Sequence, residues 1–400
     1  MTTFCHEQRT FMESNTNYIK QDRIWRILCR LLGPILKRML GLEIEPLPEI
    51  GPALIICNHV TNIDPILLAL SSPRKMLIYV ARENILRGNP ILHRLLYRTF
   101  RPIPRRKGAS AVDTCRKVVR TLRAGRSVCL FAEGETTWNG KTAPIRQGTD
   151  VLVRASGASL ITYCFSGGYM TYPRWGKGLR RGKIVGRVTG TYSAEQVRFM
   201  SPDELRRVMD SGIAEDAFQR QHASPVPFRG RHRMEHVESL LFLCPQCHQI
   251  GTLRGKEDTV TCSCGLSVSF DACLLPSEPS PFADLYVWDQ WQVSAFAEMV
   301  KSDSSLTIRE SDSDICLWEI ADDNTMSVAA QGTLSMNAHA MTVGEADFPL
   351  SGIQSLALLQ VRKAAFTYEN RYFELQSPRP LCLRKYLLFW QNARHLSDNI

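Results

Sequence analysis

Ala53-Leu54-Ile55-Ile56-Cys57-Asn58-His59-Val60-Thr61-Asn62-Ile63-Asp64-Pro65 is the stretch on which the reading of this chain turns. Its five leading apolar residues predict a short buried strand. The strand delivers a histidine, with an aspartate five positions further on. Histidine takes up a proton near neutral pH, and a neighbouring carboxylate can fix its tautomer and stabilise the imidazolium that forms. His59 and Asp64 are thus a candidate acid/base pair. A plainer role also fits: Thr61-x-x-Asp64 has the form of a capping box ahead of Ile66–Leu70, and Pro65 is tolerated in a helix's first turn.

Outward from this stretch, strands and helices alternate. Apolar runs predict strands at Met76–Val80, Ser127–Phe131, Ser159–Phe165 and Lys183–Thr191. Helical spacing appears around Ile91–Tyr97, over Val112–Leu122 and from Ser201 to about Gln221. The fold class is therefore α/β, a central sheet flanked by helices over residues 46–222. In open α/β sheets ligands gather beyond the carboxyl ends of strands. There stand Asn58, His59 and Asp64 after one strand, and Glu133 with Gly134 after another. In Pro102-Ile103-Pro104-Arg105-Arg106-Lys107-Gly108, prolines and a glycine hold the bases in a loop, and a fixed guanidinium suits a phosphate. The loop Tyr172–Lys183 is basic and glycine-rich with Trp175 inside it; it reads either as a surface hairpin or as a site for phosphates or single-stranded nucleic acid.

With 44% apolar and 22% charged residues, the composition is that of a folded protein, and 400 residues predict two or three domains. Residues 1–235 hold 38 basic against 19 acidic side chains, a net +19, whereas residues 236–400 hold 11 against 20, a net −9. The first half seeks anions: nucleic acid, an anionic membrane face, or phosphorylated and CoA-like substrates. Cys57, Cys129 and Cys164 sit singly in apolar runs and the total of 13 is odd, which predicts buried free thiols in a reducing compartment. No segment has the makeup of a secretory leader, and no run of about 18 apolar residues predicts a spanning helix. Residues 1–17 are expected to be flexible. Residues 18–45 read as a basic amphipathic helix kinked at Pro34, suited equally to its own core and to a membrane surface.

The second half differs. A linker is expected at 223–239. Cys244-Pro245-Gln246-Cys247 and Cys262-Ser263-Cys264, fourteen residues apart, have the spacing of a tetrahedral four-cysteine zinc site, which predicts a zinc ribbon over 240–272 with a structural metal. His248 is a possible substitute ligand. Residues 273–400 read as an α+β module, mainly β: a helix over Val287–Val300, then short strands at Asp314–Ile320, Thr325–Ala330, Gly332–Met336, Ala340–Val343, Ala365–Tyr368 and Tyr372–Gln376, then a helix at Leu383–Arg394.

Taken together, the first-half motifs resemble the glycerophospholipid acyltransferases that act on lysophosphatidate and related acceptors. The family's Asn-His-x4-Asp is matched by Asn58, His59 and Asp64; its basic loop by Pro102-Ile103-Pro104-Arg105, with Arg106 beside it; and its Phe-Pro-Glu-Gly by Phe131, Glu133 and Gly134, with Ala132 in place of proline. Order and spacing agree over roughly residues 50–190. Glu135-Thr136-Thr137 departs from the usual Thr-Arg-Ser, so an arginine often placed there is missing, and Thr162-Tyr163 replaces a proline. Trp138-Asn139-Gly140, Gly167-Gly168-Tyr169 and Pro173-Arg174-Trp175 look like one bacterial branch.

The resemblance implies acyl transfer from acyl-CoA or an acyl carrier protein thioester to the free hydroxyl of a lysophospholipid, foremost 1-acylglycerol-3-phosphate, in phospholipid biosynthesis. His59 would be the general base and Asp64 its orienter, with no acyl-enzyme. Asn58, Arg105, Arg106, Glu133 and Gly134 would serve substrate binding. The expected partners are the lysophospholipid acceptor, the thioester donor and an anionic membrane surface, with the protein peripheral on the cytoplasmic face and no nucleic acid bound. Two alternatives remain at this level: a nucleic-acid-binding zinc-ribbon protein, and a lipid-binding acyltransferase homologue without activity.

Overall fold

The computed structural model describes residues 2–82, 100–105, 111–277, 279–303, 305–309, 314–321, 323, 325–379 and 381–397. The expected helix around Ile91–Tyr97 and the candidate Arg106 lie outside the described residues. The chain divides into two compact units, one of residues 1–173 with 180–228, the other of residues 174–179 with 229–400.

The first unit is built on a seven-stranded sheet: β1 (Leu42–Ile44), β2 (Ala53–Cys57), β3 (Ile78–Arg82), β4 (Ile103–Arg105), β5 (Val128–Phe131), β6 (Ser159–Ser166) and β7 (Ile184–Tyr192), in the order β1-β7-β6-β2-β5-β3-β4. Strands β2 to β6 all run the same way; β7 opposes β6 and β1 follows β7. β2 lies at the centre, and all five of its side chains are fully buried, as its unbroken apolar run requires. Its last residue, Cys57, pairs with Phe131 of β5 and Tyr163 of β6, so the residues leaving these three strands emerge at one edge of the sheet.

Helix α1 spans Thr2–Leu40 with Pro34 inside it, and takes in the stretch 2–17 that composition alone leaves outside. Its inner face is held by specific bonds. Trp25 donates its indole N–H to the Ser72 carbonyl (2.9 Å), and Asp22 receives two Arg126 N–H groups (both 2.7 Å) and the Met76 amide (2.8 Å). The other face exposes Ile24, Ile27, Leu31, Leu32, Ile35 and Met39, interleaved with Arg23, Arg26, Arg30, Lys37 and Arg38. No helix among the described residues is long and apolar enough to cross a membrane.

Helix α2 is short, Asp64–Ala69. The helix expected from Ser201 to Gln221 is instead two, Pro202–Gly212 and Ala217–Ala223, capped by Ser201 and Asp216. Gly212, the last residue of the first helix, packs so closely on Thr162 that an added Cβ would lie 2.6 Å from it. Within the basic loop, Trp175 and Arg180 are buried, so these two side chains serve packing and offer no exposed face to nucleic acid.

In the second unit, β8 (Leu253–Lys256), β9 (Thr259–Cys262) and β10 (Ser267–Ser269) form an antiparallel sheet, order β10-β9-β8, with the four paired cysteines at one end. Residues 229–239 are folded onto the β8–β9 turn through Met234 N–H to Glu257 O (2.8 Å) and Arg233 to Asp258 (2.7 Å). The helix Leu285–Ser302 follows, then a four-stranded and a five-stranded antiparallel sheet, then the helix Arg384–Ser397. A buried polar network joins them. Gln292 accepts the Phe242 N–H (2.9 Å), donates to Leu240 O (3.0 Å) and to Asp289 Oδ1 (2.8 Å), and Asp289 forms an ion pair with Arg384. Fully buried Asp289 is tolerable because each oxygen has a partner.

Candidate active site

His59 is the second residue beyond β2, and four contacts fix it. Its amide donates to Glu133 Oε1 (2.6 Å), its carbonyl accepts from Thr137 N–H (2.9 Å), its Nδ1 lies 2.9 Å from Asp64 Oδ2, and its ring stacks on Phe131 with centroids 4.4 Å apart. Asp64 Oδ2 also receives the Val60 and Thr61 amides at 2.7 and 2.9 Å. An oxygen already accepting two N–H bonds cannot itself be the donor to imidazole, so the proton of the pair belongs on His59 Nδ1. The unprotonated lone pair is then on Nε2. The His59 side chain retains 19% of its exposure whereas Asp64 is fully buried.

The capping box read from sequence forms in half. Asp64 reaches back to the Thr61 amide, but the Thr61 hydroxyl is buried without a hydrogen-bond partner and does not cap the helix. Burial pushes the Asp64 carboxyl up from the usual aspartate range, opposed by the bonds from His59, Thr61 and Val60. All three of those donors converge on Oδ2, and Oδ1 is buried without a partner.

Asn58 and Glu133 tie the neighbouring strand ends together. The Asn58 amide makes a two-way pair with the Phe165 backbone, donating to its carbonyl and accepting its N–H at 2.8 Å each, which joins the ends of β2 and β6. Glu133 follows β5 and spends both oxygens on backbone, Oε1 on His59 N–H and Oε2 on Ala143 N–H (2.8 Å). Burial pushes its carboxyl up to about 8, against the pull of those two amides. Gly134 adopts φ +80°, and a Cβ there would lie 2.0 Å from Arg146 Nε, whose N–H donates to the Glu133 carbonyl (3.0 Å). Arg105 ends β4 with its side chain exposed. β4 stands three strand intervals from β2, roughly 14 Å along the same edge.

Three residues have contacts here that sequence reading did not assign to them: Phe131 as the ring under His59, Thr136 and Arg146. Thr136 Oγ1 is 3.4 Å from His59 Nε2 and donates to Asn62 Oδ1 (3.1 Å). Its one signal in the sequence is that it occupies the place of the missing arginine. Arg146, more than ten residues past the motif, carries no signal at all; its bonds to the Ala132 and Glu133 carbonyls and the room left by Gly134 bring it to the site.

These strand ends fall within residues 42–166, which match the model of the Acyltransferase family. That segment is an acyltransferase domain. His59, Asp64, Arg105, Arg106, Glu133 and Gly134 all lie inside it. Among solved structures, the chain is similar to the 1-acyl-sn-glycerophosphate (LPA) acyltransferase PlsC from Thermotoga maritima, at 16% identity over 48% of this chain and 78% of that one, with a TM-score of 0.40. No curated protein matches it.

Beyond the acyltransferase domain, Cys244, Cys247, Cys262 and Cys264 bring their sulfurs within 4.8 Å of one another and could hold a metal ion. With metal–sulfur bonds of about 2.3 Å, the edge of a zinc–thiolate tetrahedron is about 3.8 Å. Cys244 to Cys264 and Cys247 to Cys262 span 3.7 and 3.8 Å, so the four residues fit that ion. Thr252 Oγ1 stands 3.1 Å from Cys262 Sγ, a supporting contact of the kind that orients ligands. His248 is not in the cluster; its ring lies edge-on against Trp291.

Proposed function

We propose that the protein moves an acyl group from an acyl thioester, acyl-CoA or acyl carrier protein, onto the free hydroxyl of a lysophospholipid, foremost 1-acylglycerol-3-phosphate. The observation that carries this reading is the immobilised His59, tied at its amide, carbonyl, Nδ1 and ring face so that only Nε2 is left to react. His59 Nε2 takes the proton of the acceptor hydroxyl as its oxygen attacks the thioester carbonyl. Asp64 holds the tautomer and balances the imidazolium. As the intermediate collapses, the carbon–sulfur bond breaks, and His59 returns the proton to the departing thiolate. No acyl-enzyme forms. Asn58 and Glu133 act as positioning residues through the backbone they bind, and Arg105 and Arg106 are the basic loop's contribution to substrate phosphates.

The exposed face of α1, apolar residues interleaved with arginines and lysines, suits an anionic lipid surface. It supports a peripheral position on a membrane, and the cytoplasmic face is the side proposed because the thioester donors are made there. Zinc in the four-cysteine cluster would be structural, since four protein ligands leave no position for water.

The test is transfer of a radiolabelled acyl group from acyl-CoA, and separately from acyl carrier protein, to a panel of lysolipids. Wild-type turnover on lysophosphatidate that vanishes in a folded His59→Ala variant is the expected result. Unchanged turnover in that variant removes His59 from the mechanism.

A further inference from the structure

The departure from the family pattern at Thr136 leaves the site without the arginine that the motif would place there, and the structure brings another one in. Arg146 is anchored on all sides of its backbone. Its N–H donates to Ala132 O (3.1 Å), and its carbonyl accepts from Thr149 Oγ1 (2.7 Å) and Thr149 N–H (3.3 Å). Its guanidinium lies over Gly134, close enough that any Cβ would collide, and Nε donates to the Glu133 carbonyl. That bond uses one of five guanidinium N–H groups. Among the described residues, neither terminal nitrogen has a hydrogen bond or an ion pair. A forked donor with its stem fixed and its tips open is the arrangement that binds phosphate with little ordering cost.

Position agrees with chemistry. The same Glu133 whose carbonyl holds Arg146 holds the His59 amide with its carboxylate. Arg146 is therefore fixed at the end of β5, one strand interval of about 4.8 Å from β2, whereas Arg105 stands three intervals away. In an acylglycerol phosphate, phosphorus lies four bonds from the reacting oxygen, at most about 6 Å. We propose that Arg146 binds the phosphomonoester of the acceptor while its hydroxyl meets His59, and so sets the preference for phosphorylated acceptors.

The inference rests on the acyltransferase reading above, and the experiment separates the two. Full-length wild type, Arg146→Gln and Arg146→Lys are assayed with acyl-CoA on 1-acylglycerol-3-phosphate and on the unphosphorylated 1-monoacylglycerol. Acyl-pantetheine, which lacks the nucleotide phosphates, replaces acyl-CoA in a further arm. Arg146→Gln is expected to raise KM for lysophosphatidate about ten- to hundredfold, equivalent to roughly 1.4–2.8 kcal/mol, and to erase the preference over monoacylglycerol. Arg146→Lys keeps a donor for the Glu133 carbonyl but not the fork, so a smaller rise is expected from a protein that melts like wild type, even if the glutamine variant is less stable. An unchanged preference overturns the proposal. So does a rise in KM confined to acyl-CoA that disappears with acyl-pantetheine, which would assign the arginine to the donor's phosphates. If wild type turns over no lysolipid, the proposed function fails, and calorimetric binding of glycerol-3-phosphate to wild type and Arg146→Gln still decides: equal affinities overturn the role of Arg146.

Discussion

Replacing Asp64 by asparagine tests the geometry of the dyad more sharply than removing it. An asparagine oxygen placed where Oδ2 now sits could still accept from His59 Nδ1, Val60 N–H and Thr61 N–H. Its amide nitrogen would then fall at Oδ1, the buried atom without a partner. The reverse orientation would direct an NH2 at two backbone N–H groups and cost both bonds, on the order of 1 kcal/mol each before desolvation. The backbone therefore holds the amide in the orientation that preserves the reactive tautomer, and what is lost is charge. A unit charge near the imidazolium of the transition state is worth about 4 kcal/mol at 4 Å and an effective dielectric of 20. Asp64→Asn should accordingly lower kcat by about a thousandfold with KM for lysophosphatidate little changed, since the carboxylate is buried away from the acceptor. Steady-state acyl transfer, alongside thermal melting to confirm the fold, measures it. A kcat within threefold of wild type would refute the role of the charge. A loss as complete as that of His59→Ala would refute the argument that Val60 and Thr61 lock the orientation.

Three further outcomes follow from the site and the cluster. Gly134→Ala combines a left-handed φ, costing roughly 1–2 kcal/mol, with a Cβ 2.0 Å from Arg146 Nε, so it should lower the melting temperature and raise KM for lysophosphatidate as loss of Arg146 does; a variant with wild-type KM would show that the guanidinium is not needed where it stands. For Glu133, burial raises the folded carboxyl to about 8 from an ordinary 4.5, so the folded state binds the extra proton between those values, and this contribution to stability, full below pH 4.5, is lost as pH rises through 8, by on the order of 1 kcal/mol per unit. Urea titrations from pH 5 to 8.5 should show that slope flattened in Glu133→Gln, and equal slopes would dismiss it. Elemental analysis should find one zinc per chain, and chelation or Cys262→Ser should speed hydrogen exchange in residues 240–272; protection unchanged after complete metal loss would leave the cluster without a folding role.

The strand ends of the first unit were legible because short, fully buried strands declare themselves as unbroken apolar runs, and the polar residues just beyond them have few reasons to be there. His59, Asp64 and Glu133 were singled out as candidates in that way. What Glu133 and Asn58 do was not, because a side chain satisfying a neighbouring strand's backbone looks the same in sequence as one facing a substrate. Arg146 was invisible for a related reason: its position depends on the carbonyls of Ala132 and Glu133 and on the space over Gly134, all more than ten residues from it along the chain. In the second unit, the strand Ile353–Gln360 escaped notice because two irregularities, at Ile353/Ser355 and Leu358/Gln360, break the alternation that marks a strand. The cysteine spacing, by contrast, depends on no periodicity and read directly.

The Gln292–Asp289–Arg384 network has a consequence for how the second unit comes into being. Gln292 supports the backbone at Leu240 and Phe242, immediately ahead of Cys244, and its own partner Asp289 waits for Arg384 in the last helix. On the ribosome the four thiols emerge long before that arginine does. The backbone just ahead of the paired cysteines therefore gains its full support only once the last helix has been made, which ties the completion of residues 240–244 to the far end of the chain.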